Sequence, residues 1–184
     1  MKTNTIRVIA GKYKNRRLKF PSTNGLRPTS DQLKETIFNW LAPYVHDSTC
    51  IDAFAGSGSL GIESLSRGAA KAIFYELNTK AIHQIKQNLQ LLEITNYEIH
   101  KKDCIKALCS IQVECSDLII FLDPPFNKNL VNRCLKAIAN NTNIPSDSIV
   151  YIEIERFTEL DLIGFDILKE KNTSNISVKL ITKI

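Results

Sequence analysis

The chain has 184 residues, of which 43% are hydrophobic and 23% are charged, a composition typical of one globular domain. This composition excludes a disordered tail, a fibrous repeat and a small disulfide-stapled scaffold. The longest uninterrupted apolar run, Leu118 to Leu122, is too short to cross a membrane. Because the first residues also lack the pattern of a secretory signal, we expect a cytoplasmic protein with no membrane partner.

Cysteine and histidine are too scattered to predict a metal site or a disulfide framework. None of the five cysteines forms a C-x-x-C pair, and the three histidines are far apart along the chain. We therefore expect no bound metal, and we expect free thiols, buried or half-buried, in a reducing compartment. The cysteines are Cys50, Cys104, Cys109, Cys115 and Cys134.

The net charge of +5 is concentrated at the amino-terminal end. Residues 1–40 contain nine Lys or Arg against two acidic residues, a balance of +7, so the remaining 144 residues sum to −2. A basic segment ahead of a near-neutral body indicates a polyanionic partner, nucleic acid first. A solvated basic surface without a partner is the alternative that composition alone leaves open.

The first elements in the chain are short. Residues 6–10 and 16–20 are two β-like runs separated by turn-forming residues, and prolines and a glycine then predict a loop. Thr29-x-x-Gln32 has the spacing of a capping box. The apolar residues behind it recur at helical intervals, and Pro43 ends the predicted helix.

From residue 49 onward, strands alternate with helices. Strands are predicted at 50–55, 72–77, 97–101, 118–122 and 149–154, helices at 59–67, 81–92, 104–111 and 128–140, and a terminal hairpin at 165–170 and 176–181. This order predicts an α/β fold whose mostly parallel sheet is covered on both faces and closed by antiparallel strands at one edge. We place one boundary near residue 48, between a basic extension (1–48) and the α/β body (49–184).

A glycine-rich turn follows the first strand of the body. Gly56, Gly58 and Gly61 fit G-x-G-x-x-G between a strand and a helix, and Glu76 ends the next predicted strand, where a carboxylate can accept hydrogen bonds from both ribose hydroxyls of an adenosine. Asp52, four positions before the glycines, suits a cationic group such as an amino-acid ammonium. The negative charge of Asp52 would repel the pyrophosphate of NAD. The pattern therefore favours S-adenosylmethionine, with a glycine turn that serves only packing as the alternative.

The apolar strand 118–122 ends in Asp123-Pro124-Pro125-Phe126. The two prolines remove two N–H donors, so this turn offers acceptors, namely backbone carbonyls and the Asp123 carboxylate. Such a cup suits an exocyclic amine, which it can align toward a sulfonium methyl group, and Phe126 offers a flat face for a planar base. The alternative is a proline-stiffened strand exit with an incidental aromatic residue.

Five segments that occur in order resemble the bacterial 16S rRNA guanine-N2 methyltransferase family, which modifies one guanine of the small ribosomal subunit. They are RVIAGKYKNRRL (7–18), LRPTSD (26–31), ETIFNWL (35–41), DAFAGSG (52–58) and DPPF (123–126). The resemblance covers nearly the whole chain. It implies a Rossmann-like, seven-stranded methyltransferase sheet with a reversed C-terminal hairpin, preceded by a small basic hairpin and helix. It also implies an enzyme that uses S-adenosylmethionine and acts on 16S rRNA in the small subunit or its assembly intermediate. We expect this enzyme to be a monomer.

The candidate site residues fall into three groups. The resemblance places Asp52, Phe54, Gly56 and Gly58 at the methionine part of the cofactor, Glu76 and Leu77 at the ribose, and Asp103 and Cys104 at the adenine. Cys104 stands where a small apolar residue is more usual. The proposed catalytic residues are Asp123, Pro124, Pro125 and Phe126. The proposed RNA contacts are Lys12, Lys14, Arg16, Arg17, Arg27 and Thr29, of which Arg27 and Thr29 belong to a family loop near the active site.

Four other functions compete with this interpretation. DNA or RNA adenine-N6 and cytosine-N4 methyltransferases share the amine cup, but the DNA enzymes usually carry a target-recognition domain for which 184 residues leave no room. A protein glutamine methyltransferase would not need the basic extension. An NAD(P) oxidoreductase would not need Asp52, and a non-catalytic RNA-binding module would not need the glycine turn. The expected product is N2-methylguanosine in 16S rRNA.

Overall fold

The structure, a computed structural model, describes residues 4–20, 30–113, 117–125 and 129–184. Arg27, Thr29, Cys115 and Phe126, all named above, lie outside these residues. The chain begins with β1 (Asn4–Arg7) and β2 (Arg17–Phe20), which pair antiparallel as a separate two-stranded sheet. The two β-like runs predicted at this end are therefore confirmed as a hairpin.

Helix α1 (Asp31–Trp40) follows the hairpin, and it begins one residue later than the predicted capping box implies. Its N-cap is Ser30, whose hydroxyl oxygen accepts a hydrogen bond from the Leu33 N–H at 3.2 Å. The prediction of Thr29 as the cap is wrong. Ser30 is the better N-cap residue type, and it places Asp31 in the first turn, where the helix dipole favours an acidic side chain.

The body alternates strands and helices as predicted, with β3 to β7 parallel to one another. Its elements are β3 (Thr49–Asp52), α2 (Ser59–Ser66), β4 (Lys71–Tyr75), α3 (Thr79–Leu91), β5 (Tyr97–His100), α4 (Cys104–Leu108), β6 (Leu118–Leu122), α5 (Leu130–Asn140), β7 (Ile149–Glu155), β8 (Phe165–Asn172) and β9 (Ile176–Lys183). The seven strands lie in the order β5-β4-β3-β6-β7-β9-β8, and β9 runs antiparallel to both of its neighbours. The predicted fold class, including the reversed C-terminal hairpin, is confirmed.

Two strands end earlier than predicted because the chain leaves the sheet to form the turns of the candidate site. β3 stops at Asp52 instead of residue 55, and β4 stops at Tyr75 instead of residue 77. Beyond β3, the Ala55 N–H still donates to the Tyr75 carbonyl at 3.0 Å, and the Gly58 N–H turns back to the Ala55 carbonyl. Asp52 is thus the last residue of its strand, and Glu76 is the first residue after the next one.

Both faces of the seven-stranded sheet are buried. One face packs against α4 and α5, through residues such as Ile120, Leu135 and Ile138. The other face is divided between α1, which packs on β6 and β7, and a cluster formed by α2, α3 and the amino-terminal hairpin. Leu18 and Phe20 of the hairpin are almost fully buried in that cluster, so the basic extension packs on the body through an apolar face.

Within the described part of the chain, no helix is both long and apolar enough to cross a membrane. Four cysteines lie there, and all are free thiols. Cys50, Cys104 and Cys134 are buried, as expected, whereas Cys109 is exposed.

Candidate active site

The candidate site residues of the body follow the carboxyl ends of four adjacent parallel strands. Asp52 closes β3, Glu76 follows β4, Asp103 lies beyond β5 and Asp123 follows β6. Because these strands are neighbours and run in the same direction, all four positions lie along one edge of the sheet. β3 pairs with β4 on one side and with β6 on the other, so the chain order reverses at β3. Ligands of open α/β sheets bind in the crevice at such a point.

The glycine-rich turn between β3 and α2 is tight and closely packed. Gly56 and Gly58 have φ angles of 50° and 75°, in the left-handed region that glycine adopts without steric cost. A Cβ atom on Gly61 would lie 2.2 Å from Cε1 of Phe74 in β4. The first two glycines therefore make the turn, and the third lets α2 approach the sheet.

The Glu76 carboxylate ties this turn to the end of β4. Its Oε2 accepts the Gly56 N–H at 2.7 Å, and its Oε1 accepts the N–H groups of Leu77 and Asn78 at 2.8 and 2.7 Å. A carboxylate offers about four lone-pair positions, so three backbone bonds fix its orientation and leave capacity for a further donor. The Leu77 side chain is 61% exposed and stands beside it.

Asp52 is a buried acid at the centre of the edge. Its side chain is 3% exposed, and its Oδ2 accepts the Gly61 N–H in the first turn of α2 at 3.1 Å. Burial raises the pKa of Asp52 to about 7, with a further contribution from the charge of Glu76, while the bond from Gly61 opposes the rise. The ionised form is therefore costly at neutral pH, and a cationic ligand beside it would offset that cost.

Replacing Asp52 with Asn is expected to stabilise the protein without ligand. An acid whose pKa is higher in the folded state than in the unfolded chain lowers stability as pH rises between those two values, here from about 4 to about 7. Asn keeps an oxygen for the Gly61 N–H but cannot ionise. We expect the variant to exceed the wild type in free energy of unfolding by up to about 4 kcal/mol at pH 8, and by less at pH 5. Denaturation at the two pH values measures this, and an equal difference at both would contradict the assignment.

Asp103 and Cys104 lie at the start of α4 and have different surroundings. The half-buried Asp103 is the N-cap of the helix, and its Oδ1 accepts the Lys106 N–H at 3.1 Å. Cys104 is 5% exposed, and its thiol lies against that of Cys134 in α5, inside the core. A contact from Cys104 to a cofactor would thus come from its backbone. Phe54, in the glycine turn, is half-buried against the same core.

The turn after β6, Asp123-Pro124-Pro125, is called the acceptor turn because it offers hydrogen-bond acceptors. It lies beside two polar side chains of β7. Asp123 is half-buried, Pro124 is buried and Pro125 is exposed. In β7, the Tyr151 hydroxyl donates to Oε2 of Glu153 at 3.1 Å, and both residues are buried. Burial, followed by the charges of Glu153 and Asp123, raises the pKa of Tyr151 well above its usual value, so Asp123 is close enough to act on that hydroxyl.

Sequence reasoning missed Tyr151 and Glu153. The pattern that could have revealed them is the acidic residue inside the run Ile149 to Ile154. The other residues of this run are typical of a buried apolar strand. Charged side chains are seldom fully buried without a partner or a function.

The basic hairpin is anchored to the helix that begins at the glycine turn. Both oxygens of the buried Glu63 in α2 accept backbone N–H groups of Ile9 and Ala10, at 2.8 and 3.0 Å. The Ser66 carbonyl accepts the Lys12 N–H at 2.7 Å. The hairpin also carries exposed cations, of which Arg16 donates to the Leu91 carbonyl of α3 at 3.4 Å. They are Lys12, Lys14, Arg16, Arg17 and Lys19.

Comparison with known proteins identifies the family. A family model described as Conserved hypothetical protein 95 matches residues 6–182. A protein named Ribosomal RNA small subunit methyltransferase D from Haemophilus influenzae is 40% identical over 95% of this chain and 92% of its own length. A solved structure from Escherichia coli is 33% identical, covers 98% of both chains and superposes with a TM-score of 0.86.

A more distant structure shares the fold alone. The 16S rRNA N2 methyltransferase of Thermus thermophilus in complex with AdoMet and guanosine is 17% identical, with a TM-score of 0.72 over 100% of this chain and 50% of its own. The close matches extend from the basic hairpin through the acceptor turn to β9. The chain therefore belongs to the Conserved hypothetical protein 95 family and, with its curated relatives, to the small-subunit rRNA methyltransferases of type D.

Proposed function

We propose that the protein transfers a methyl group from S-adenosylmethionine to the exocyclic N2 amine of one guanine in 16S rRNA. The observation that carries the proposal is the placement of the glycine turn, Asp52 and Glu76 on the same sheet edge as Asp123-Pro124-Pro125. That edge brings a site for a cationic nucleoside next to a turn that offers acceptors to an amine.

The residues of the edge fit S-adenosylmethionine, which when bound supplies an electrophilic methyl group on a sulfonium. Asp52 is a buried carboxylate whose ionised form needs a nearby cation, and the methionine part of the cofactor carries an ammonium group. Glu76 is held by three backbone bonds in a position to accept ribose hydroxyls. We assign Phe54, Gly56 and Gly58 to the methionine side, Leu77 to the ribose, and Asp103 with the Cys104 backbone to the adenine.

The acceptor turn aligns the amine and takes its proton. Asp123 and the carbonyls of the two prolines accept the hydrogens of the N2 amine and aim its lone pair at the methyl carbon. The new N–C bond forms as the C–S bond breaks, S-adenosylhomocysteine leaves, and the amine gives up one proton, for which we assign Asp123 as the acceptor. Phe126, which lies outside the described residues, is assigned to stacking on the base.

The substrate is an unpaired or flipped-out guanine, because a base within a duplex cannot enter such a turn. RNA loops present unpaired bases readily, and the basic hairpin suits their phosphates. We propose that the enzyme acts as a monomer on the small ribosomal subunit or its assembly intermediate, in the cytoplasm where subunits are made. We assign residues 1–48 to RNA contact and residues 49–184 to the cofactor and the chemistry.

Nucleoside mass spectrometry tests this function. The purified chain is incubated with S-adenosylmethionine and small ribosomal subunits from cells that lack the enzyme, and the rRNA is digested to nucleosides. We expect N2-methylguanosine at one site. N6-methyladenosine or N4-methylcytidine would refute the guanine assignment, and a reaction with naked 16S rRNA but not with subunits would identify the free RNA as the substrate.

The exposed cations of the hairpin are expected to set the salt dependence of RNA binding. Replacing Lys12, Lys14, Arg16 and Arg17 with Gln should flatten the plot of log affinity against log salt by about 0.7–0.9 for each phosphate that the variant no longer neutralises. Filter binding from low to moderate salt measures the slope.

A matched control removes four exposed cations from other surfaces, namely Arg133, Lys136, Lys169 and Lys171. This control should keep the wild-type slope. An unchanged slope in the hairpin variant would show that its cations are only solvated.

A further inference from the structure

An exposed aromatic residue follows the carboxyl end of β7. Phe157 is 86% exposed, the highest value among the large apolar side chains of the described residues. β7 runs parallel to β6, so its carboxyl end lies on the same edge of the sheet as the acceptor turn. The last pair of that ladder joins Leu122 to Ile152, and β7 continues to Glu155, about 10 Å further. Phe157 therefore lies beyond the acceptor turn, on the edge that carries the candidate site.

Backbone hydrogen bonds hold this residue in a tight turn. The Thr158 N–H donates to the Glu155 carbonyl at 3.0 Å, so Arg156 and Phe157 are the two central residues of the turn. The Arg156 N–H donates to the Asn175 carbonyl at 3.0 Å, in the connection between β8 and β9. Because this backbone is already ordered, a ligand that binds here pays little for ordering it.

The segment after the turn is bonded to the helix that follows the acceptor turn. Nδ2 of Asn132, in the first turn of α5, donates to the Glu159 carbonyl at 3.0 Å, and Oδ1 of Asn132 accepts the Asp161 N–H at 3.0 Å. The turn that presents Phe157 is thus tied on one side to the β8–β9 connection and on the other side to the start of α5.

The chemistry of this turn suits a base and not a phosphate. The guanidinium carbon of Arg156 lies 5.3 Å from the centroid of the Phe157 ring, within the range of a cation–π pair. Residues 155–161 contain this one cation and three acids, namely Glu155, Glu159 and Asp161, so the segment sums to −2 and would repel a phosphate. Neutral bases, in contrast, stack on aromatic rings and on guanidinium planes.

We propose that Phe157, with Arg156 beside it, stacks on an unpaired RNA base that flanks the target guanine. This inference rests on the proposed function, since it assumes that rRNA binds at this edge. A target base that leaves its stack uncovers the faces of its neighbours, and an aromatic ring can replace the stacking that is lost. Phe126 is assigned to the target base itself, so the two rings hold different nucleotides.

Methylation kinetics on small ribosomal subunits measure the contribution of the ring. In Phe157→Ala we expect kcat/KM to fall about 5- to 150-fold, the range that loss of one base stack produces, mainly through a higher KM. Phe157→Trp keeps a stacking face and should stay within about threefold of the wild type. Ile163→Ala is the matched control, because Ile163 is 83% exposed but lies near the start of β8, at the opposite edge of the sheet. It should keep the wild-type kinetics.

Abasic RNA identifies what the ring contacts. Small subunits are reconstituted with ligated 16S rRNA in which one nucleotide at a time, among those that flank the nucleotide methylated by the wild type, lacks its base. At one position the wild type should lose kcat/KM by the same factor as Phe157→Ala loses on unmodified subunits, and Phe157→Ala should lose nothing further there. The abasic nucleotide keeps its phosphate, so this coupling reports stacking and not charge.

Two results would overturn the proposal. One is an unchanged kcat/KM in Phe157→Ala. The other is a loss that couples to none of the flanking abasic positions, which would make a protein of the subunit the partner of the ring. Failure of the proposed function has a different signature, since the wild type would then form no N2-methylguanosine in unmodified subunits.

Discussion

Asp123→Ala is expected to lose about 10²- to 10⁴-fold in methyl transfer while it binds S-adenosylmethionine nearly as tightly as the wild type. This range is typical for removal of a group that takes a proton or aligns a nucleophile in the transition state. We assign Asp123 to the substrate side of the edge, and Asp52 and Glu76 to the cofactor side. Single-turnover transfer to small subunits measures the chemical step, and calorimetry measures cofactor affinity.

Two further variants sharpen this result. Asp123→Asn keeps one oxygen that accepts a hydrogen bond from the amine but cannot take up its proton, so its rate should lie between those of the wild type and the Ala variant. Asp117 lies at the opposite end of the same strand and is exposed, so Asp117→Ala should transfer methyl groups at the wild-type rate. Near-normal turnover in Asp123→Ala would show that the acceptor turn is not where the amine reacts.

Gly11→Ala is expected to detach the basic hairpin from the body. Gly11 has a φ angle of 80°, and a Cβ atom there would lie 1.8 Å from the Ser66 carbonyl oxygen of α2. That oxygen is backbone, so it cannot move aside as a flexible side chain would, and it also accepts the Lys12 N–H. We expect destabilisation of more than about 2 kcal/mol, because the clash adds to the roughly 1–2 kcal/mol of left-handed strain.

Gly164→Ala separates the clash from the strain. Gly164 has a φ angle of 85°, but its nearest neighbour would be the Ala139 Cβ at an ordinary 3.6 Å. Thermal unfolding should therefore show a clearly larger loss of stability for Gly11→Ala. RNA affinity should fall in that variant alone, because only there do the cations of the hairpin lose their fixed positions. Equal destabilisation in both variants would mean that the hairpin tolerates movement away from α2.

Periodicity and turn chemistry predicted the fold well, because the body repeats strand and helix with clear boundaries. The glycine turn and the acceptor turn were visible for the same reason, since their unusual residue types occur at strand ends. The helix cap at Ser30 was missed because Thr29 and Ser30 both have suitable side chains, and only the backbone geometry chooses between them.

Contacts between distant segments were not predictable from local patterns. In the sequence, Glu63 is an ordinary acidic residue of a predicted helix. In the structure it is fully buried, and it accepts the backbone N–H groups of Ile9 and Ala10, which lie 54 and 53 residues away in sequence. The pairing of Phe121 in β6 with Tyr151 in β7 depends on strand register, which follows from the order β3-β6-β7. No spacing in the sequence contains that order.

The bonds between the hairpin and α2 join the two segments, and we expect them to open as a single cooperative unit. Amide protons of Ile9 and Ala10 are held by Glu63, so they can exchange with solvent only when the hairpin lifts off the helix. That opening also uncovers Ile62 and Leu65, which belong to the same buried cluster as Leu18 and Phe20 of the hairpin. If RNA binds the hairpin as proposed, hydrogen exchange at the two ends of α2 should slow together, so that binding at the surface also protects the helix end next to the glycine turn.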